Sequence, residues 1–295
     1  MGDPAAIRYN EGMSELPSPA RIIRALTSDH SVRFAAVDAS PLWDGARRGH
    51  PHLEAGACAA LVEFLAAALL LQSRTFCSER LQLLLKDGGR AKALVADAWP
   101  DGGVRGMLDL APGDPAPETP WLRPPGLLQV MRSNPAGQPY IGKLAMVEGG
   151  LAAQVEAYLQ QSEQVQASVS LWSDPGTGDS GGLLVEPMPD CPPERMRTLV
   201  AALEGLEVVP FWERTPEFLA RWVNQGDGAE VLATVETHYR CRCSREALVA
   251  TLNGFGPDKV RDLFAAGDPL AVRCDYCGKT YTIGPEDLAG SGAPA

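Results

Sequence analysis

The stretch from Ala55 to Leu71 constrains this chain most. It carries Leu61, Val62, Phe64, Leu65, Leu69, Leu70 and Leu71 among alanines, with Glu63 its one charged residue. A helix that is apolar around nearly its whole circumference has no face to offer water. It must cross a bilayer or be wrapped by the rest of the chain. The segment is short for a bilayer and has Glu63 in its middle, so a buried central helix is expected and no membrane partner. The rest of the chain can supply the wrapping: 295 residues, 45% of them hydrophobic, are enough for about two domains and a sizeable core.

The flanking segments read as β-structure punctuated by turns. Ser31–Asp38, Arg80–Leu85, Ala91–Ala96, Leu127–Met131, Tyr140–Met146 and Val165–Trp172 have strand character, as does Leu183–Val185. Gly103–Leu108 starts a further strand, and Ile22–Leu26 suits a short helix or strand. Pro112, Pro115, Pro117, Pro120, Pro124 and Pro125 mark an irregular loop. Leu151–Gln161 is amphipathic at helical spacing, with Val155, Tyr158 and Leu159 on one face. Asp190–Glu194, with Pro192 and Pro193, marks a boundary. Beyond it Met196, Leu199, Val200 and Leu203 follow helical spacing, and Thr215 with Pro216 opens a second helix. Val231–Tyr239 alternates like one strand running into a cysteine pair. Ser244 is placed to cap a helix over Arg245–Leu252, and Pro257 opens another through Phe264. Leu270–Arg273 and Thr280–Ile283 are expected as short strands.

Four of the seven cysteines fall into two tight pairs, Cys241-Arg242-Cys243 and Cys274-Asp275-Tyr276-Cys277. Four thiolates close a tetrahedral structural zinc site, so one Zn²⁺ per chain is expected on Cys241, Cys243, Cys274 and Cys277. The second pair has knuckle spacing, with Gly278 where the chain must turn back. The first has a single intervening residue, shorter than zinc ribbons use. A disulfide between Cys241 and Cys243 would close a small strained ring, and strained disulfides are the labile ones. That spacing suits a site that changes state. Cys58, Cys77 and Cys191 are assigned no role, because free cysteines are mostly small buried hydrophobes.

The formal net charge of −11 disfavours nucleic acid as a partner. The first twenty residues lack an apolar core segment. With an odd number of thiols this leads to the expectation of a reducing, cytoplasmic location. Gly178-Asp179-Ser180-Gly181-Gly182 matches the nucleophile sequence of trypsin-like proteases. His30, His50, His52 and His238 lie in no matching context, so the protein is expected not to be an enzyme. No Gly-rich run carries the Lys-Ser/Thr of a P-loop.

In order, these features resemble the heat-shock protein 33 family, the redox-regulated holdase chaperones of bacteria. The resemblance rests on Cys241-x-Cys243-Ser244 and Cys274-x-x-Cys277-Gly278, on Glu148-Gly149 with Tyr158 and Ser162-Glu163-Gln164, and on Gly181-Gly182-Leu183-Leu184-Val185. It covers about residues 20 to 288. The chain departs from the family at Val32-Arg33-Phe34, Thr75-Phe76-Cys77-Ser78 and Lys86-Asp87-Gly88-Gly89. The resemblance implies an α+β fold. Flexible tails at 1–19 and 289–295 would flank a core domain (20–190) with two β-sheets packed around a buried helix, a metastable helical linker (191–238) and a small zinc domain (239–288). It also implies a zinc-bound, inactive reduced form. Oxidation would form the disulfides Cys241–Cys243 and Cys274–Cys277, release zinc and unfold the zinc domain. Unfolding client proteins would then be captured without ATP by an active homodimer. Apolar linker side chains, Met196, Leu199, Leu203, Phe218 and Trp222 among them, are the expected client-binding residues. The alternative is a structural zinc-ribbon binding protein without a redox switch.

Overall fold

Whatever encloses an all-apolar helix must satisfy its own backbone hydrogen bonds, and here two sheets do so. The computed structural model describes residues 20–74, 80–113, 119–133, 137–226, 228–265 and 268–288. The expected tails, Thr75–Ser78 and with them Cys77 lie outside the described residues.

The chain opens with strands β1 (Arg21–Leu26) and β2 (Val32–Asp38), followed by helices α1 (Leu42–Gly49) and α2 (Ala55–Ser73). Strands β3 (Arg80–Gly88), β4 (Ala91–Ala98), β5 (Gly103–Leu110), β6 (Leu127–Ser133) and β7 (Tyr140–Ala145) come next. Helix α3 (Leu151–Ser162) then leads to β8 (Ser168–Ser173) and β9 (Ser180–Pro187). After helices α4 (Pro193–Gly205) and α5 (Pro216–Val223), strands β10 (Glu230–Glu236) and β11 (His238–Tyr239) follow. The chain ends in α6 (Arg245–Asn253), α7 (Pro257–Leu263), β12 (Leu270–Arg273) and β13 (Thr280–Ile283).

A five-stranded sheet in the order β10-β1-β2-β9-β8 and a six-stranded sheet in the order β11-β5-β4-β3-β6-β7 both pack on α2. Nearly every residue of α2 from Ala57 to Gln72 is buried, Ala60 and Glu63 being half-buried. The helix is apolar and long enough to cross a membrane, but here it is the core of the fold. Each fully buried Leu, Val or Phe contributes about 1.5–3 kcal/mol. Close approach is part of the design: a Cβ on Gly182 of β9 would lie 2.8 Å from Leu70 Cδ1.

The five-stranded sheet is covered on both faces. Ile22, Ala35, Val37 and Leu184 face α2, while Ile23, Ala25, Phe34, Ala36, Leu183 and Val185 face the other way. This second face is covered by Leu199, Leu206, Leu219 and Val223 from α4, α5 and the turn between them. Burial on both faces explains why β2 and β9 read as nearly continuous apolar runs. Thr215 caps α5 by accepting from the Phe218 N–H. Arg214 holds the connecting turn by donating to Leu206 O and Val209 O.

Two features differ from the sequence expectation. The span Val231–Tyr239 is two strands in two sheets. Strand β10 pairs antiparallel with β1, Thr237 donates its N–H to Ala20 O at 2.7 Å, and β11 pairs parallel with β5. An unbroken alternation concealed this change of sheet. Helix α1 has no clear signal in the sequence, since Gly45 and Gly49 are poor helix formers. It forms by burying Leu42, Trp43 and Ala46.

Candidate metal centre and its contacts with the core

The four cysteines are delivered by two short backbone devices. Cys241 and Cys243 leave the end of β11, whose register is held by His238↔Gly103 and Tyr239↔Val104 and continued by Arg240 N–H donating to Val104 O. Ser244 then ends the segment by capping α6, accepting from the Ala247 N–H at 3.1 Å. Cys274 and Cys277 lie in the turn between β12 and β13. Cys274 N–H donates to Lys279 O and Gly278 N–H to Cys274 O. Gly278 has φ +70°, and a Cβ there would lie 2.8 Å from Gly49 O. Its place is dictated by both the turn and the close approach of α1.

The Sγ atoms of Cys241, Cys243, Cys274 and Cys277 all lie within 4.8 Å of one another. The Cys241–Cys274 distance is 3.7 Å and the Cys243–Cys277 distance 3.5 Å. Sulfurs about 2.3 Å from a common zinc ion would be about 3.8 Å apart at the edges of a tetrahedron. The donor set and its spacing therefore fit that ion. Backbone N–H groups of Tyr276 and Cys277 are directed at Cys274, and that of Lys279 at Cys277; such donors favour the thiolate.

Without a cation the four thiols share their charge unequally. Burial opposes ionisation of Cys243, but the Tyr281 hydroxyl and the neighbouring thiols bring it down to about 7. Burial pushes Cys277 up to about 12, reinforced by its hydrogen bond to Cys243, and it raises Cys274 too. The Cys243 sulfur is 3.1 Å from Tyr281 Oη. Elsewhere, Cys58 is buried in the main core, which pushes its thiol up to about 11 and makes it a poor nucleophile. Cys191 is half-buried beside Pro192.

Several residues that fix the cluster against the core were not singled out by sequence reasoning. Arg105 of β5 donates to the buried Asp97 carboxylate at 2.9 Å, reaches Cys241 Sγ at 3.5 Å and lies 4.0 Å from the Tyr276 ring centre. The Tyr239 hydroxyl sits within hydrogen-bond reach of both Gly106 O and Tyr276 O, which share its single proton, and so joins β11, β5 and the second cysteine turn. Asp101 pairs with Arg240 and Arg242, and Arg242 also stacks over Trp99 at 4.3 Å. Arg245 pairs with Asp287. The basic residues around the cysteines are thereby partly neutralised within the chain, which disfavours a nucleic-acid surface. Period-two alternation along β13, which turns Tyr281 and Ile283 inward, was the one local signal available for these contacts.

The protease-like sequence forms no catalytic site. Ser180 is 3% exposed; its hydroxyl accepts from the Trp43 indole at 2.6 Å and is bonded to Ser173 at 2.7 Å, with no histidine among its partners. The expected client-binding side chains lie elsewhere, on the layer covering the five-stranded sheet. Leu199 is fully buried there, and Met196, Leu203, Phe218 and Trp222 are half-buried, with Phe218 stacked on Trp222.

Fold and site together define a two-sheet core around one apolar helix with a four-thiol, metal-type module docked at its edge. A family model described as Hsp33 protein matches residues 20–284. Curated relatives named 33 kDa chaperonin include one from Deinococcus radiodurans, 28% identical over 91% of this chain and 96% of its own length. Another, from Synechocystis, is 30% identical over 91% of this chain and 94% of its own. A crystal structure titled as the 33 kDa chaperonin of Thermotoga maritima shares the fold, with TM-score 0.75, 22% identity and coverage of 91% of this chain and 96% of that one. The chain belongs to the Hsp33 family.

Proposed function

We propose that this protein is an ATP-independent holdase chaperone, held inactive by zinc on Cys241, Cys243, Cys274 and Cys277 and activated by oxidation. The observation that carries this reading is a mismatch in the cysteine module. Its four thiols are at ligand spacing, yet among the described residues its buried apolar cluster is just Val260, Ile283 and Leu288, with Tyr281 buried beside the sulfurs. Bound zinc would supply about 10–16 kcal/mol of folding free energy in such a module and keep the sulfurs deprotonated. The relatives' name, 33 kDa chaperonin, supports the chaperone part.

In the proposed switch a peroxide oxidises each pair. For each pair, two zinc-held thiolates, one hydrogen peroxide and two protons from solvent give one disulfide and two waters, joining Cys241 to Cys243 and Cys274 to Cys277. Disulfide sulfurs carry no thiolate charge to hold a cation, so the module loses its staple. Tyr239 and Arg105 then lose their partners at Tyr276 and Cys241. The next segment back along the chain is β10, at the edge of the five-stranded sheet. Its release would loosen the 191–238 linker and uncover Met196, Leu199, Leu203, Phe218 and Trp222 for unfolding clients. We assign 20–190 to the core and 239–288 to the switch, place the protein in the reducing cytoplasm and expect the active form to be a homodimer.

Light scattering from a heat-unfolding client tests this. Reduced protein should leave aggregation unchanged, peroxide-treated protein should suppress it, and reductant should reverse the gain. Equal activity in both forms would reject the switch. Leu199→Asp, which places a charge under the helical layer, should give activity without oxidant.

A further inference from the structure

Glu63 is the only charged residue of α2 and has no part in the switch. Its side chain is half-buried, and among the described residues no hydrogen bond or ion pair reaches it. The carboxyl lines a cleft of about 150 Å³ bounded by Ala60 of α2, Leu94 of β4, Pro120, Trp121 and Leu122 of the proline-rich loop, and Gly150–Leu151 at the start of α3. Among the described residues no other titratable side chain lines this cleft. The nearby guanidinium of Arg90 lies 4.0 Å from the Trp121 ring centre and is taken by Glu54 at 2.7 Å. One turn away on the same helix face stand Ala60 and Ala67. Packing alone would be met by such a residue, whereas an unpaired carboxylate in an apolar recess is costly.

We propose that this cleft is a binding site for a small apolar primary ammonium group, with Glu63 as its counter-ion. The cation would give Glu63 the charged partner it lacks, and the Trp121 ring offers a cation–π surface. The apolar body would fill the recess, and roughly 150 Å³ is enough for a benzene-sized group. Free arylalkylamines and the lysine side chain of a bound protein segment share this chemistry. Burial raises Glu63 to about 7, so binding should be lost as pH falls through that value and the carboxyl is protonated.

The test titrates full-length reduced protein with benzylammonium, neutral benzyl alcohol and Nα-acetyl-lysine methylamide, following the Trp121 indole N–H by NMR. Saturable binding of benzylammonium is expected, weakened about tenfold or more by Glu63→Gln. That variant is isosteric and removes a buried charge, so it should keep the fold. Ala60→Leu, which fills the cleft from the helix side, should abolish binding while Glu63 remains. Binding of benzylammonium alone would identify free amines as the ligand class, and matching Glu63-dependent binding of the lysine derivative would identify protein lysines. No saturable binding at millimolar concentration, equal affinity for benzyl alcohol, or unchanged affinity in Glu63→Gln would overturn the proposal.

Discussion

The core around α2 and the module holding the four cysteines obtain their order from different sources. In the core, Leu61, Phe64, Leu65, Leu70 and Leu71 are completely enclosed by two sheets, and removal of apolar surface from water suffices to fold it. In the module, Leu248, Val249, Leu252, Phe264 and Val272 are only partly buried around the small enclosed cluster of Val260, Ile283 and Leu288. Such a small interior needs a staple, and the thiol cluster is placed to be one. On the proposed reading, one chain couples a permanent part to a conditional one. Between them the α4–α5 layer uses the outer face of a core sheet, so its apolar side chains are hidden only while it stays docked.

The largest effect should come from removing the staple. Cys277→Ser, or chelation of the reduced protein, should unfold residues 241–288 and leave the core folded, with about 10–16 kcal/mol of metal-linked folding energy at stake. Limited proteolysis should cut after Arg245 or Arg261 and spare Arg33 and Arg105 in the core strands; uniform digestion of both parts would break the distinction. The reciprocal change is Leu65→Ala. A cavity in the core should cost about 2–5 kcal/mol in denaturant unfolding without changing zinc stoichiometry.

Glu63 sharpens the picture of the core itself. Burial raises its folded pKa to about 7 from an ordinary carboxyl value of 4.5, so the folded state binds the extra proton between those values. Stability should therefore fall as pH rises through that window, by about 3 kcal/mol at its upper end. Glu63→Gln should flatten this profile and be the more stable protein at pH 8; an unchanged slope would place the titration elsewhere. The smallest effect is expected at the junction between the two parts. Tyr239→Phe removes hydroxyl bonds to Gly106 O and Tyr276 O and should weaken docking by about 1 kcal/mol, read as faster zinc transfer to a chelator.

What could be read from the sequence follows the same division between local and long-range causes. Helix α2, most strands, the Thr215 and Ser244 caps and the turn at Gly278 are written in neighbouring residues, and they appear where the pattern places them. The proximity of the four thiols could be anticipated because pair spacing and thiol chemistry leave few other arrangements. The break at Thr237 was invisible, because a strand that changes sheets keeps its alternation. Arg105, Asp97 and Tyr239 were invisible too. Their partners come from segments far away in the chain, and nothing local marks an arginine that will lie between a buried carboxylate and a cysteine.

Hydrogen exchange before and after peroxide treatment, with zinc release followed in the same sample, tests the coupling most directly. About one zinc per chain should leave. Protection should collapse across 241–288 and drop in α4 and α5, persist in α2, and the treated protein should suppress client aggregation. Loss of zinc with α4 and α5 still fully protected, or collapse of α2 together with the module, would contradict a conditional switch docked on a self-sufficient core.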